Sequence, residues 1–102
     1  MSERYPALSA FARAYLHEDL EAEHGTAEAA LDAFLAATRP AERKALAAEA
    51  VRLGRRIADW PVARVRALLR DELGAAWWPE RAAEVRHLLA RAARSPGGSG
   101  TR

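Results

Sequence analysis

Cysteine is absent from the 102-residue chain, which excludes a disulfide framework, a thiolate metal site and a cysteine nucleophile. β-Branched residues are nearly missing too: four Val and one Ile stand against 26 Ala and 12 Leu. Strands favour β-branched side chains and helices favour Ala and Leu, so the chain reads as all-α. Serine occurs at positions 2, 9, 95 and 99, and no Gly-x-Ser-x-Gly elbow surrounds any of them. Neither a Walker loop nor a Gly-x-Gly-x-x-Gly turn is present to cradle a phosphate. These absences leave no kit for catalysis, and the expectation is a non-enzyme without a cofactor. No run approaches the roughly 18 apolar residues of a membrane span. The start, Met1 to Pro6, lacks the basic and apolar regions of a signal peptide. The expected compartment is therefore the cytoplasm, with no membrane partner.

Half of the residues are apolar, enough for one modest core and too many for a disordered chain. Five apolar stripes at helical spacing fill the chain. The first helix begins at Pro6, whose fixed φ suits a first turn, and carries Leu8, Phe11, Tyr15 and Leu16. Residues 17–25 read as an acidic connection with room for one helical turn, broken by Gly25. Thr26 suits the N-cap of a second helix, with Glu28 at its positive end and Leu31, Phe34 and Leu35 on its apolar face. Arg39-Pro40 interrupts the pattern. The third helix runs from Pro40 towards Ala58 with a seam of Leu46, Ala50, Leu53 and Ile57. A fourth carries Val62, Val65, Leu69 and Leu73 and closes at Gly74. The fifth opens at Pro79 and carries Val85, Leu88, Leu89 and Ala92. The expected architecture is a compact bundle of about five helices forming one domain over residues 1–94, followed by a flexible Gly/Ser tail at 95–102.

The net charge of +2 conceals a segregation. Residues 1–38 hold two basic and seven acidic residues, and residues 39–102 hold 14 basic and seven acidic ones. Such asymmetry marks either two solvated faces or a surface for an oppositely charged partner. Glu18, Asp19, Glu21 and Glu23 crowd into six residues, with no Lys or Arg between Arg13 and Arg39 to balance them. A basic partner would relieve their mutual repulsion, so all four are candidate partner-binding residues. Imidazole and carboxylate at His17, Asp19, Glu21, Glu23 and His24 also suit a divalent ion. The two histidines stand seven apart rather than four, and no third lies near, so no metal site is expected.

Trp60, Trp77 and Trp78 are the second feature. Adjacent tryptophans cannot easily both point inward. Two of the three are expected to cover the end of the core, leaving Trp78 as a candidate binding anchor. The Arg-rich third and fourth helices suggest the competing reading of a small helical nucleic-acid-binding regulator. Against it, Glu42, Glu49, Asp59, Asp71 and Glu72 interrupt the basic run, and no helix-turn-helix spacing is evident.

The segment Tyr5-Pro6-Ala7-Leu8, Phe11, Tyr15-Leu16-His17-Glu18-Asp19 and Gly25-Thr26 is more specific than a generic helix pair. It resembles the opening of a family of small helical immunity proteins from contact-dependent growth inhibition systems. Leu73-Gly74 followed by Trp77, Trp78 and Pro79 is similar to a later connection in that family, and the likeness spans roughly residues 5–92. The chain departs from the pattern at Leu20, where members often carry Trp, and at His24, where an aromatic precedes the glycine. Near the Trp-Pro segment Trp78 or Glu80 stands where an aspartate is expected. The resemblance implies a non-enzymatic protein that binds and neutralises a cognate toxin domain in the cytoplasm of the producing cell. Such toxins are diverse, and many are nucleases; an acidic segment would match a basic nucleic-acid-binding cleft. Of the motif residues Tyr5, Pro6, Tyr15, His17, Asp19 and Gly25, the resemblance leaves His17 and Asp19 open. They are either toxin contacts or a structural pair in which Asp19 caps a turn and His17 donates to it.

Overall fold

A computed structural model describes residues 4–94. The expected tail at 95–102 lies outside them. Among the described residues the chain forms six helices and no strand: α1 Pro6–Tyr15, α2 Leu20–Glu23, α3 Ala27–Ala37, α4 Pro40–Arg56, α5 Val62–Asp71 and α6 Ala82–Ala93. The all-α class holds, with one helix more than the five stripes suggested. The extra element is α2, a single turn within the acidic connection. Leu20 is buried there, and its carbonyl accepts from the backbone N–H of His24 and of Gly25. It is the single helical turn for which the acidic connection left room.

Pro6 and Pro40 both stand at the first position of their helices, where a missing N–H costs nothing. The Thr26 hydroxyl accepts from the backbone N–H of Ala29 at 3.0 Å and caps α3. The last helix starts at Ala82 and not at Pro79. Pro79 is fully buried in the preceding connection, and its carbonyl accepts from Arg66 Nε at 2.7 Å, a tertiary contact made before the helix begins. Gly74 ends the α5 region with φ +73°, a left-handed conformation that lets the N–H of Ala75 reach back to the carbonyl of Leu69. A Cβ at Gly74 would also approach Arg13 Cγ to 3.0 Å. Gly74→Ala is expected to lower stability by about 1–2 kcal/mol from backbone strain. Arg13→Ala in the same chain should recover the crowding and leave the strain, as thermal unfolding of the single and double variants will show.

One apolar cluster draws on all six helices, with Leu31, Leu46, Leu53, Ile57, Val65 and Val85 fully enclosed. α4 is the longest helix; α6 and α1 pack against it, α3 lies against α1 and α6, and α5 against α6. Its seam is the one the spacing predicted, Leu46, Ala50, Leu53 and Ile57. It carries one residue the spacing did not flag. Glu49 is 5% exposed, and its two carboxylate oxygens accept the backbone N–H groups of Ala7 and Leu8 at 3.0 and 2.8 Å. Tyr5, the N-cap of α1, offers no side-chain cap, so α4 supplies one from across the core.

Two contacts hang the connection between α5 and α6 on α1. The N–H of Ala76 donates to the carbonyl of Leu16 at 2.7 Å, and the Ser9 hydroxyl donates to the carbonyl of Leu73 at 3.2 Å. This connection carries Trp77 and Trp78.

Candidate functional site

The acidic segment and the tryptophan connection meet at a cleft of about 570 Å³. One wall is His17, Glu18, Leu20 and Glu21 around α2, continuing through Gly25, Thr26, Ala27 and Glu28 into the first turn of α3. The other is Ala76, Trp77, Trp78 and Glu80, with Glu84, His87 and Leu88 of α6. Five carboxylates therefore share one concavity, and among the described residues no lysine or arginine lines it.

Each wall is held by identifiable contacts. Phe11, Tyr15 and Phe34 form an aromatic cluster beneath the α2 segment, with ring centroids 5.3–5.9 Å apart. Tyr15 also stacks on His24 at 5.3 Å. At the position where the resembled motif has an aromatic, this chain places the flat imidazole ring against Tyr15. His17 Nδ1 accepts the backbone N–H of Asp19 at 3.2 Å, and its Nε2 faces Glu23 Oε1 at 3.5 Å. His24 Nε2 lies 3.8 Å from the same Glu23 oxygen. Gly25 turns the chain into α3 with φ +85°. The expected arrangement, Asp19 capping with its side chain and His17 donating, is corrected here. The imidazole is the acceptor, the donor is the backbone of Asp19, and the Asp19 carboxylate makes no cap hydrogen bond.

Of the candidate partner-binding residues, Glu18, Glu21 and Trp78 line the cleft, while Asp19 and Glu23 are exposed on the same segment outside it. Trp60 and Trp77 are half-buried against the core, and Trp78 is 58% exposed. That split is the one expected of three tryptophans at the end of a small core. Tyr5 is buried and Pro6 opens α1, so the motif residues at the chain's start build the fold. Among the described residues, no group of three or more His, Asp or Glu side chains is arranged to hold a metal ion.

Glu28, Glu80, Glu84 and His87 join the cleft without having been singled out as contacts. Glu28 and Glu84 occupy the first turns of α3 and α6, where the helix dipole favours a carboxylate. Glu84 Oε1 also accepts the backbone N–H of Glu80 at 3.3 Å. Glu28 reads as a helix start in sequence, and tertiary packing alone brings the starts of α3 and α6 to one cleft.

Most arginines of α4 and α5 are engaged in contacts within the chain. Arg43 donates to the carbonyls of Leu35 and Thr38 at the end of α3. Arg52 donates to the carbonyl of Arg4 and lies over the Tyr5 ring, 5.5 Å from its centroid. Arg56 forks onto Glu72 at 3.1 and 3.3 Å, and that hydrogen-bonded carboxylate pushes the guanidinium pKa up. Arg56 and Arg64 both stand over Trp60. On α6, Arg91 forks onto Asp32 at 2.9 and 2.7 Å, and its hydrogen bond holds that carboxyl below the usual range. These side chains tie elements together, and nothing in their arrangement supports a nucleic-acid surface.

A family model described as CdiI immunity protein matches residues 4–95. The chain belongs to the CdiI immunity protein family. No curated protein and no solved structure matches it. A CdiI immunity protein binds and neutralises the toxin of a contact-dependent growth inhibition system, and members of the family are non-catalytic inhibitors. The functional surface of this CdiI protein is therefore one that recognises another protein. No helix among the described residues is long and apolar enough to cross a membrane.

Proposed function

We propose that this immunity protein seats its toxin on the acidic cleft, with Trp78 as anchor and Glu18, Glu21, Glu28, Glu80 and Glu84 facing a basic toxin surface. Asp19 and Glu23 extend the same negative field along α2. The protein acts in the cytoplasm of the producing cell and inhibits by occupation, without chemistry of its own. One observation carries this reading: five carboxylates and an exposed indole share a concavity that no lysine or arginine lines among the described residues. Like charges gathered on one surface raise the free energy of the isolated protein, and a basic partner lowers it. An exposed tryptophan beside them offers large apolar area at small rotamer cost. A toxin that holds nucleic acid presents a basic surface of the required sign.

The test is a Glu18→Gln/Glu21→Gln double variant measured against the cognate toxin domain. Both side chains are exposed, so circular dichroism and Tm should stay at the wild-type values. The association rate should fall about three- to tenfold at low salt and converge with wild type at high salt. An unchanged association rate with an unchanged salt dependence would overturn the acidic-cleft reading.

A further inference from the structure

We propose that Arg66 is a positioning residue for toxin binding, holding the Trp78 indole from behind as a preformed wall of the cleft. The inference rests on the cleft being the toxin-binding surface. Trp78 sits on a connection outside the regular helices, 58% exposed, where an indole would ordinarily sample several rotamers. Arg66 restrains it twice. Its guanidinium carbon lies 4.9 Å from the indole centroid, within cation–π range. Its Nε donates to the carbonyl of Pro79 at 2.7 Å, fixing the backbone immediately after the tryptophan. One side chain thus clamps both the ring and the peptide that carries it.

The base of the clamp is firm. Arg66 follows Val65 on α5, whose Val65, Leu68 and Leu69 are buried, and Pro79 is itself fully enclosed. Arg66 does not line the cleft, whereas Trp78 does. The guanidinium therefore supports the indole from outside the concavity and leaves the inner side to the toxin. A wall already in its bound rotamer loses less freedom on binding, so the complex dissociates more slowly. Charge works in the other direction. Arg66 is a cation near an acidic cleft, and removing it leaves the surface more attractive to a basic toxin. A positioning role predicts faster dissociation with no loss of association rate.

The experiment uses the full chain and the cognate toxin domain, with Arg66→Ala, Arg66→Lys, Trp78→Ala and the Arg66→Ala/Trp78→Ala double variant. Association rates, dissociation rates and Tm are measured for each. Trp78→Ala should weaken binding about 10- to 100-fold. Arg66→Ala should raise the dissociation rate about 5- to 20-fold. In the Trp78→Ala background the same change should add less than about twofold, because the side chain it positions is gone. Arg66→Lys keeps the charge and loses the planar stack, so its dissociation rate should lie between wild type and Arg66→Ala; it also carries the test if Arg66→Ala fails to fold. If Trp78→Ala weakens binding while Arg66→Ala leaves dissociation unchanged, or acts equally in both backgrounds, Arg66 is no positioning residue and the cleft reading stands. If Trp78→Ala has no effect, the cleft reading falls and the role of Arg66 falls with it.

Discussion

Replacing Glu49 with alanine is expected to destabilise the fold by about 2–4 kcal/mol, the cost of leaving two helix-terminal N–H groups unpaired, that of Leu8 buried and that of Ala7 half-buried. Those groups belong to Ala7 and Leu8, and both donate to the Glu49 carboxylate in an environment where Glu49 is 5% exposed. Two further features concentrate the cost. Tyr5 provides no side-chain cap, and Pro6 at the first position brings no N–H of its own, so the carboxylate faces the first available donors of α1. Glu49→Gln is nearly isosteric and keeps one carbonyl acceptor, while it loses the charge that favours a helix N-terminus. It should recover roughly half of the alanine loss. Chemical denaturation of the three proteins checks the order wild type, Gln, Ala. If Gln and Ala are equally destabilised, the charge is the dominant part. If neither loses stability, the carboxylate is not the cap of α1.

This residue also shows why part of the molecule could not be read from the chain alone. Helical periodicity at α4 identified Leu46, Ala50, Leu53 and Ile57 as a buried seam, and all four are buried. Glu49 lies one residue from Ala50 on the inward side, yet in sequence it reads as an acid interrupting a basic run. Its partners are 41 and 42 residues away, and no local pattern encodes that distance. The cleft divides in the same manner. Glu18, Glu21 and Trp78 were legible because each breaks a local expectation, either charge without counter-charge or two tryptophans in a row. Glu28 satisfies a local expectation, the acidic first turn of a helix, and Glu84 enters the first turn of α6 only because that helix starts at Ala82, so neither announced its position on a shared surface. The single turn of α2, for which the acidic connection left room, and the late start of α6 both depend on tertiary contacts. The first rests on the burial of Leu20, and the second on a tertiary hydrogen bond from Arg66 to the carbonyl of Pro79.

Tyr15→Ala is expected to cost about 2–3 kcal/mol, below the range of fully buried aromatic-to-alanine changes because Tyr15 is half-buried, and to loosen the acidic wall of the cleft before the rest of the fold. Tyr15 is the ring through which α1, α3 and the α2 segment meet: it touches Phe11 at 5.9 Å, Phe34 at 5.5 Å and His24 at 5.3 Å between centroids. Removing it leaves Phe11 and Phe34 in contact with each other but strips His24 of its stacking partner. His24 closes α2 immediately before Gly25, and its Nε2 shares the Glu23 oxygen with His17. The segment that presents Glu18 and Glu21 thus loses the face it rests on, while α4 and α6 keep their apolar seams. Hydrogen exchange should rise first across residues 17–25, at denaturant concentrations where α4 remains protected. Toxin binding should weaken mainly through the fraction of molecules with an ordered α2 segment, so excess variant protein restores full neutralisation. Tyr15→Phe keeps the ring and should stay within about 1 kcal/mol of wild type, with unchanged exchange at 17–25. Uniform exchange across all six helices in Tyr15→Ala would show instead that the aromatic cluster is part of the global core and gives the acidic wall no separate support.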